Sequence, residues 1–383
     1  MWLSNLSLVM PDRFVENGAV EVTDGFISAI SEKPEYLGFD CGGGTLFPGF
    51  IDIHGDMIEN ELEPRVKVDF PIDVALNHLD ARLAACGVTT AYSAVSFSKG
   101  ARDGERRSFE HTSELIRDIH NRKGILRVDH RIHARFDITF TPAINALESL
   151  LTDRKVELVS VMDHTPGQGQ YRNLERHIEL RAEHYGVSLE EARAIVQERL
   201  EKATPIEIIL ANLKIISRLC KNSKVPLASH DDDTIEKSEL MAQLGSVIAE
   251  FPVTMEAAET AISRGVMTAM GAPNAMRGQS YSGNLSAREL HAAGKLNILA
   301  SDYHPAAMLP AIRALAKTDP QGLAGAARLI SANPAKALDL TDRGEIEVGK
   351  RADLIIVDKL DRVVITFSGG QIIYTNSNLN KIN

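Results

Sequence analysis

At 383 residues the chain has room for one α/β barrel of about 250–300 residues and a smaller second domain. A net charge of −10 makes a phosphate backbone a poor partner, so nucleic acid is not expected; no apolar run nears the roughly 20 residues of a membrane span, and the start lacks the basic and apolar stretches of a secretory signal. Cys41, Cys86 and Cys220 lie far apart without CxxC spacing, which argues against a disulfide framework or a cysteine zinc site and fits a reducing cytoplasm.

The first 45 residues read as short strands at 5–10, 18–22 and 26–30, and a Gly-Gly-Gly run at 42–44 leads into Thr45-Leu-Phe-Pro-Gly49. The final segment looks alike, with strand-like runs at 352–357, 363–367 and 371–374. Neither end has enough strands for its own core, so 1–47 and 340–383 are expected to build one small composite β domain, a single sheet or a β-sandwich. Between them, over 48–339, strands and helices alternate, which marks a parallel sheet. Eight apolar strand candidates fall at 50–56, 87–95, 126–137, 156–164, 225–231, 246–252, 266–272 and 297–303. Helical stretches at 73–85, 109–122, 206–221, 256–264 and 309–316 separate most of them, which suits a closed (β/α)8 TIM barrel better than an open sheet. Residues 168–204 break the rhythm with a polar helical insertion, 171–185 then 190–202, in which Ser188-Leu-Glu-Glu191 reads as a capping box. It follows the fourth strand on the face where barrels place their chemistry, as a lid or as a surface excursion with no catalytic part.

The first barrel strand is Phe50-Ile-Asp-Ile-His54-Gly-Asp56. Alternate strand residues share a face, so Asp52, His54 and Asp56 point to the barrel axis, where Val, Ile and Leu are the usual filling. Two ligand-type residues at i, i+2 form a metal-binding pair; the bland alternative is a turn with a stray histidine. The third strand repeats the pattern in Asp129-His-Arg131-Ile-His133-Ala-Arg135-Phe-Asp137. Its odd positions are all polar or charged, which is costly inside a barrel unless they are paired or ligated. For the arginines nearest the N-terminal side a salt-bridged layer is expected, and His130, on the apolar parity, reads as structural. Three further strands stop at a candidate ligand: Met162-Asp-His164, Ala228-Ser-His230-Asp-Asp and Ala300-Ser-Asp302-Tyr-His304. Five strands bringing His or carboxylate to one rim point to a metal site at the C-terminal barrel face, with donors that suit Zn²⁺, Mn²⁺ or Fe²⁺. His78, His111, His120, His177, His184 and His291 fall on polar helical stretches and are expected in solvent; His304 stays undecided.

After the seventh strand comes Gly271-Ala-Pro-Asn274-Ala-Met-Arg277-Gly-Gln-Ser280-Tyr-Ser282-Gly-Asn284, read as one glycine-rich loop. Backbone N–H groups and an arginine fork in such a loop hold phosphate oxygens, and barrels often bind phosphate near strands seven and eight; a flexible surface loop is the alternative. Pro64-Arg65-Val-Lys67 adds two cations at the same rim, unless they are an ordinary solvated pair.

Together these stretches resemble the PhnM family, the phosphonate-pathway members of the amidohydrolase superfamily, over nearly the whole chain. The most specific matches are Met162-Asp-His-Thr-Pro-Gly-Gln168 and the 271–284 segment, supported by Gly245-Ser-Val-Ile-Ala-Glu250-Phe-Pro252 and Asn333-Pro-Ala335. The resemblance implies removal of pyrophosphate from α-D-ribose 1-methylphosphonate 5-triphosphate. It implies His54, Asp56, His164, His230 and Asp302 as ligands of one or two divalent ions, with Asp137 standing where relatives have a bridging glutamate. Asp302 would also orient the attacking water and take its proton. Arg135, Arg277, Lys67 and Arg65, in falling order, would stabilise charge on phosphoryl oxygens, with Asn274, Ser280, Ser282 and Asn284 as further substrate contacts. The partner implied is a phosphorylated sugar, with no membrane and with homo-oligomerisation left open. The superfamily's His-x-His is His-x-Asp here, and no lysine ends the fourth strand to form a carbamate bridge. Two rivals stand beside this reading. One is a C–N hydrolase on the same barrel, which would need neither the 271–284 segment nor the basic residues. The other is a scaffold that has lost its metal, against which five filled rim positions weigh.

Overall fold

The computed structural model describes residues 1–35, 37–65, 68–98, 109–279 and 283–376. The chain opens with β1 (Trp2–Val9), β2 (Phe14–Thr23), β3 (Phe26–Ser31) and β4 (Phe39–Pro48). The barrel strands follow as β5 (Phe50–Gly55), β6 (Val88–Phe97), β7 (Asp129–Asp137), β8 (Leu158–Met162), β9 (Leu227–His230), β10 (Ser246–Glu250), β11 (Met267–Gly271) and β12 (Ile298–Ala300). The chain returns as β13 (Leu354–Val357), β14 (Val363–Ser368) and β15 (Gln371–Thr375). All eight expected barrel strands are present, with ends shifted by a few residues.

Both chain ends share one seven-stranded sheet, ordered β15-β14-β13-β4-β1-β2-β3. It curls back on itself: the amide of Ala352 donates to Gly25 O, and that of Gly370 donates to Ala352 O. Leu3, Leu6 and Leu8 therefore share a core with Ile27 at one end of the sheet and Ile356 and Phe367 at the other. Of the sheet and the sandwich expected, the small domain is thus one curled sheet. β4 pairs antiparallel with β13, Pro48 against Leu354, so the barrel is inserted between two hydrogen-bonded neighbours.

The barrel sheet runs in simple sequence order from β5 to β12. Its helices bury one stripe against it. Ile206–Ser223 starts after Pro205, buries Leu213, Ile216, Leu219 and Cys220 at helical spacing, and stops at Lys224 in the left-handed region. β5 and β12 meet only near their ends. There Gly55 and Asp302 form a parallel bridge, and Asp52 accepts hydrogen bonds from the amide (2.9 Å) and hydroxyl (2.5 Å) of Ser301. Lower down residues 329–330 fill the gap, accepting from the amides of Leu299 and Ile51 at 2.8 Å. The floor is the salt-bridged layer expected for the N-terminal arginine: Asp129 accepts from Arg131 at 3.1 Å and from Arg343 at 2.8 Å. No helix among the described residues is long and apolar enough to cross a membrane.

Two readings need correction. The 271–284 segment is not all loop: it opens with a helix, Ala272–Arg277, with Pro273 in its first turn and Gly278 closing it at φ 81°. Not all the helical histidines are solvated. His177 is buried, and the His291 side chain, 7 % exposed, meets Asp319 at 3.0 Å.

Candidate active site

β5, β9 and β10 each carry a buried ligand-type side chain at or next to their C-terminal end. His54, His230 and Glu250 are all buried, and each offers a donor atom within 4.8 Å of the other two. His54 Nδ1 lies 3.2 Å from a Glu250 oxygen, and its ring packs edge-on against His133 of β7 (5.0 Å) and Phe251 (5.0 Å). His133 is anchored by Ile53 O at 3.0 Å and Ser160 Oγ at 2.8 Å. His54 Nδ1, both ring nitrogens of His230 and both oxygens of Glu250 make no well-aligned hydrogen bond, although His230 Nδ1 lies 3.0 Å from Asp231. A buried polar group left so costs about 1–3 kcal/mol, and more if charged.

The electrostatics have the same sense. Burial pushes His133 down to about 3 and His164 to about 4, which leaves neutral imidazoles with lone pairs to give. Burial opposes charge on His54 too, but Glu250 and Asp56 outweigh it and lift the ring to about 10. Glu250, against its burial, is held down to about 2 by the surrounding histidines. Buried carboxylates that draw a proton onto a histidine call for a cation, and two imidazoles with a carboxylate are donors for a divalent transition ion.

Above this group opens a cavity of about 700 Å³. Its lining brings together His54, Asp56, Arg135, His164, His230, Asn274, Arg277, Asn284 and Asp302 from the sequence candidates. Arg135 Nη1 donates to Asp56 at 2.7 Å, and Asp56 also lies 3.3 Å from His54 Nε2. Asp302 is pushed up to about 6 by burial, with His54 working against the rise. Its backbone is left-handed, φ 58°; its amide donates to His54 O at 2.9 Å, and its carbonyl accepts from Asp56 N at 2.8 Å. Asn274 Oδ1 accepts from Ala287 N at 2.9 Å, and Asn284 Nδ2 reaches Gln170 O at 3.4 Å, which joins the 271–284 segment to the helical insertion over the cavity.

Other candidates fall elsewhere. Asp137 does not line the cavity; it turns to its own loop and accepts from Thr139 N at 2.9 Å and Thr139 Oγ1 at 2.6 Å. Arg65 is exposed beside Val68, outside the lining. Lys67, Ser280 and Ser282 lie outside the described residues. Glu250 was not among the sequence candidates, although β10 carries their signature, an apolar run stopping at a carboxylate.

The amidohydrolase family profile matches residues 180–381. The alpha-D-ribose 1-methylphosphonate 5-triphosphate diphosphatase of Escherichia coli (strain K12) is 40 % identical over 369 residues, 94 % of this chain and 96 % of its own. Among solved structures, 5-methylcytosine deaminase from Klebsiella pneumoniae superposes with a TM-score of 0.68 at 15 % identity, covering 98 % of each chain. N-acetyl-D-glucosamine-6-phosphate deacetylase from Mycobacterium smegmatis gives 0.64 at 16 %, covering 98 % of this chain and 100 % of its own. These two establish the fold, and the full-length relative narrows it further: the chain belongs to the amidohydrolase family, in its PhnM branch.

Proposed function

We propose that the chain hydrolyses α-D-ribose 1-methylphosphonate 5-triphosphate to the 5-phosphate and pyrophosphate. The observation that carries this reading is the 40 % identity, over 94 % of the chain, to the Escherichia coli diphosphatase that bears that substrate in its name. His54, His230 and Glu250 would hold the divalent ion, zinc, manganese or iron, with Asp56, His164 and Asp302 around it. When bound, such an ion acidifies water and withdraws charge from phosphoryl oxygens. Asp302, buried and raised to about 6, takes the proton as water oxygen bonds to the α-phosphorus and the bond to the bridging oxygen breaks, so that the electron pair leaves with pyrophosphate. Arg135 is fixed by Asp56 at 2.7 Å, and a charge held in place stabilises the transition state without reorganising. Arg277 and Asn274, which line the same cavity, would meet substrate oxygens. Three free cysteines support a reducing cytoplasm as the compartment.

Mass spectrometry of products from ribosyl and nucleoside triphosphates tests the reading: pyrophosphate and a monophosphate in equal amounts are expected. Turnover of amides or cyclic imides with triphosphates untouched would replace it by C–N hydrolysis. Arg277→Ala should lower kcat/KM on the triphosphate by about 10–150-fold through lost charge-assisted hydrogen bonds. Lysine should restore part of this, because an ammonium cannot reproduce the guanidinium fork. An equal loss on a neutral ester would make Arg277 structural.

A further inference from the structure

The helical insertion encloses a second cavity of about 360 Å³ beside the first. Gln170 and Tyr171 line both cavities. The Tyr171 ring stands between two histidines, 6.1 Å from that of His164 on the catalytic side and 4.2 Å from that of His177 on the other. The insertion does not hang loosely. Its helices Leu174–Tyr185 and Leu189–Glu201 pack through Ile178, Ala182, Ala192 and Val196, and Gly169 N donates to Asp233 at 2.9 Å.

The wall of this second cavity is cationic. Arg176, Arg181 and Arg199 line it, and no carboxylate does among the described residues, although the chain carries 52 Asp and Glu against 42 Lys and Arg. Arg176 is spoken for by Glu179 at 3.0 Å. Arg181 keeps two donors unused: its Nε and Nη1 are buried without a hydrogen bond, and its guanidinium lies over the Tyr185 ring at 5.4 Å. Arg199 Nη2 donates to His164 O at 3.2 Å, so it spans from the insertion to the segment that follows β8. Burial, then Arg181 and Arg199, push His177 down to about 4, and its Nε2 makes no hydrogen bond. Guanidiniums gathered in a part-buried pocket without an acid repel one another, and an anion with several oxygens relieves that cost while taking their donors.

We propose that this pocket is a pyrophosphate site, which holds the β,γ end of the triphosphate before cleavage and the leaving pyrophosphate after it. The assignment of the substrate's end rests on the ribosyl triphosphate reading above. With the α-phosphorus at the His54, His230 and Glu250 group, the chain of phosphates crosses the threshold at Gln170 and Tyr171. Its terminal oxygens then meet Arg181 and Arg199, with His177 as a neutral donor.

The test uses the metal-loaded full chain, with inorganic pyrophosphate and inorganic phosphate as probes. Binding is measured by titration calorimetry, and pyrophosphate inhibition by steady-state turnover of a ribosyl triphosphate. Arg181→Met, which keeps the stem and removes the charge, should weaken pyrophosphate binding and inhibition together by about tenfold or more. It should raise KM more than it lowers kcat and leave phosphate binding nearly unchanged; Arg181→Lys should recover part of the affinity. If the methionine variant does not fold, the lysine variant against wild type makes the same comparison with a smaller expected shift. Unchanged pyrophosphate affinity in a folded variant that still hydrolyses the triphosphate overturns this proposal and leaves the functional reading intact. Arg181-dependent pyrophosphate binding by a chain that cleaves no triphosphate keeps the site and overturns the functional reading.

Discussion

Asp302 is fixed by its main chain as firmly as by its surroundings, in the left-handed region at φ 58° with both backbone groups bonded across to β5. Asparagine tolerates that conformation, whereas alanine adds about 1–2 kcal/mol of strain. Asp302→Asn therefore removes the proton acceptor without disturbing the backbone. Turnover should fall by about 10²–10⁴-fold with metal content and melting temperature unchanged; near-normal kcat would leave the proton with no assigned acceptor. Glu250→Gln should act at the other end, on the ion itself. With the carboxylate 3.2 Å from His54 neutralised, elemental analysis should find metal largely lost, and full occupancy would remove Glu250 from the ligand set. His54 is legible in the sequence because it shares a strand face with Asp52 and Asp56, and His230 because it ends an apolar run in a metal-binding side chain. Glu250 ends Val247-Ile-Ala-Glu250 in the same way and is found once glutamate is admitted to the pattern. Asp137 carries an opposing signal: Asp137-Ile-Thr139 is the local turn in which a carboxylate bonds the amide two residues on, as its 2.9 Å bond to Thr139 N shows.

The helices are held to the strands by a few buried polar joints, and Asp80 is the clearest. It sits on the helix Ile72–Ala85 and accepts from the amides of Arg127 (3.1 Å) and Val128 (3.0 Å) and from His130 Nε2 (3.2 Å). His130 is thus structural, as its strand parity implied. Burial works against the Asp80 charge, yet the His130 and backbone donors prevail and hold its carboxyl below the ordinary value of 3.8. A pKa depressed on folding adds stability above the unfolded value, and that stability is lost as pH falls through the folded one. Asp80→Asn should therefore cost about 2–3 kcal/mol at neutral pH and less as the pH falls below 3.8, as read by denaturant titration at several pH values. A constant difference across that range would mean the charge is not what matters. Among the helices, the insertion was legible through its capping box, which the structure forms at Ser188 and Glu191. The short helix Ala272–Arg277 was not, although Pro just inside its start and Gly just past its end are the expected punctuation. Glycine, serine and asparagine around it outweighed that signal. The insertion's place after the fourth strand gave the rim it covers, but that it meets Asn284 there depends on a contact between residues 114 apart, which no local pattern encodes.

The two-part architecture makes the barrel depend on strands far along the chain. β13 and β14 bury Leu354, Ile355, Ile356, Val357, Val364, Ile365 and Phe367. At about 1.5–3 kcal/mol for each such side chain, their loss rivals the whole stability of a folded domain, about 5–15 kcal/mol. A chain stopped at Gly349 should accumulate as insoluble protein, and a soluble product with the full-length melting temperature would show the barrel to be self-sufficient. That the two ends share a sheet was legible, because neither has strands enough alone; the curl that lets β3 and β13 face one core was not. The insertion of the barrel between β4 and β13 also sets a timetable. β4 leaves the ribosome some 300 residues ahead of the strand it pairs with, which at 5–20 residues per second is a wait of about 15–60 s. For that interval the edge of β4 beside Leu46 and Phe47 lacks its β13 partner, the kind of edge that recruits other chains. How much native protein a cell obtains should then follow the speed of synthesis, and the shelter available to the nascent chain, more closely than the stability of the finished fold.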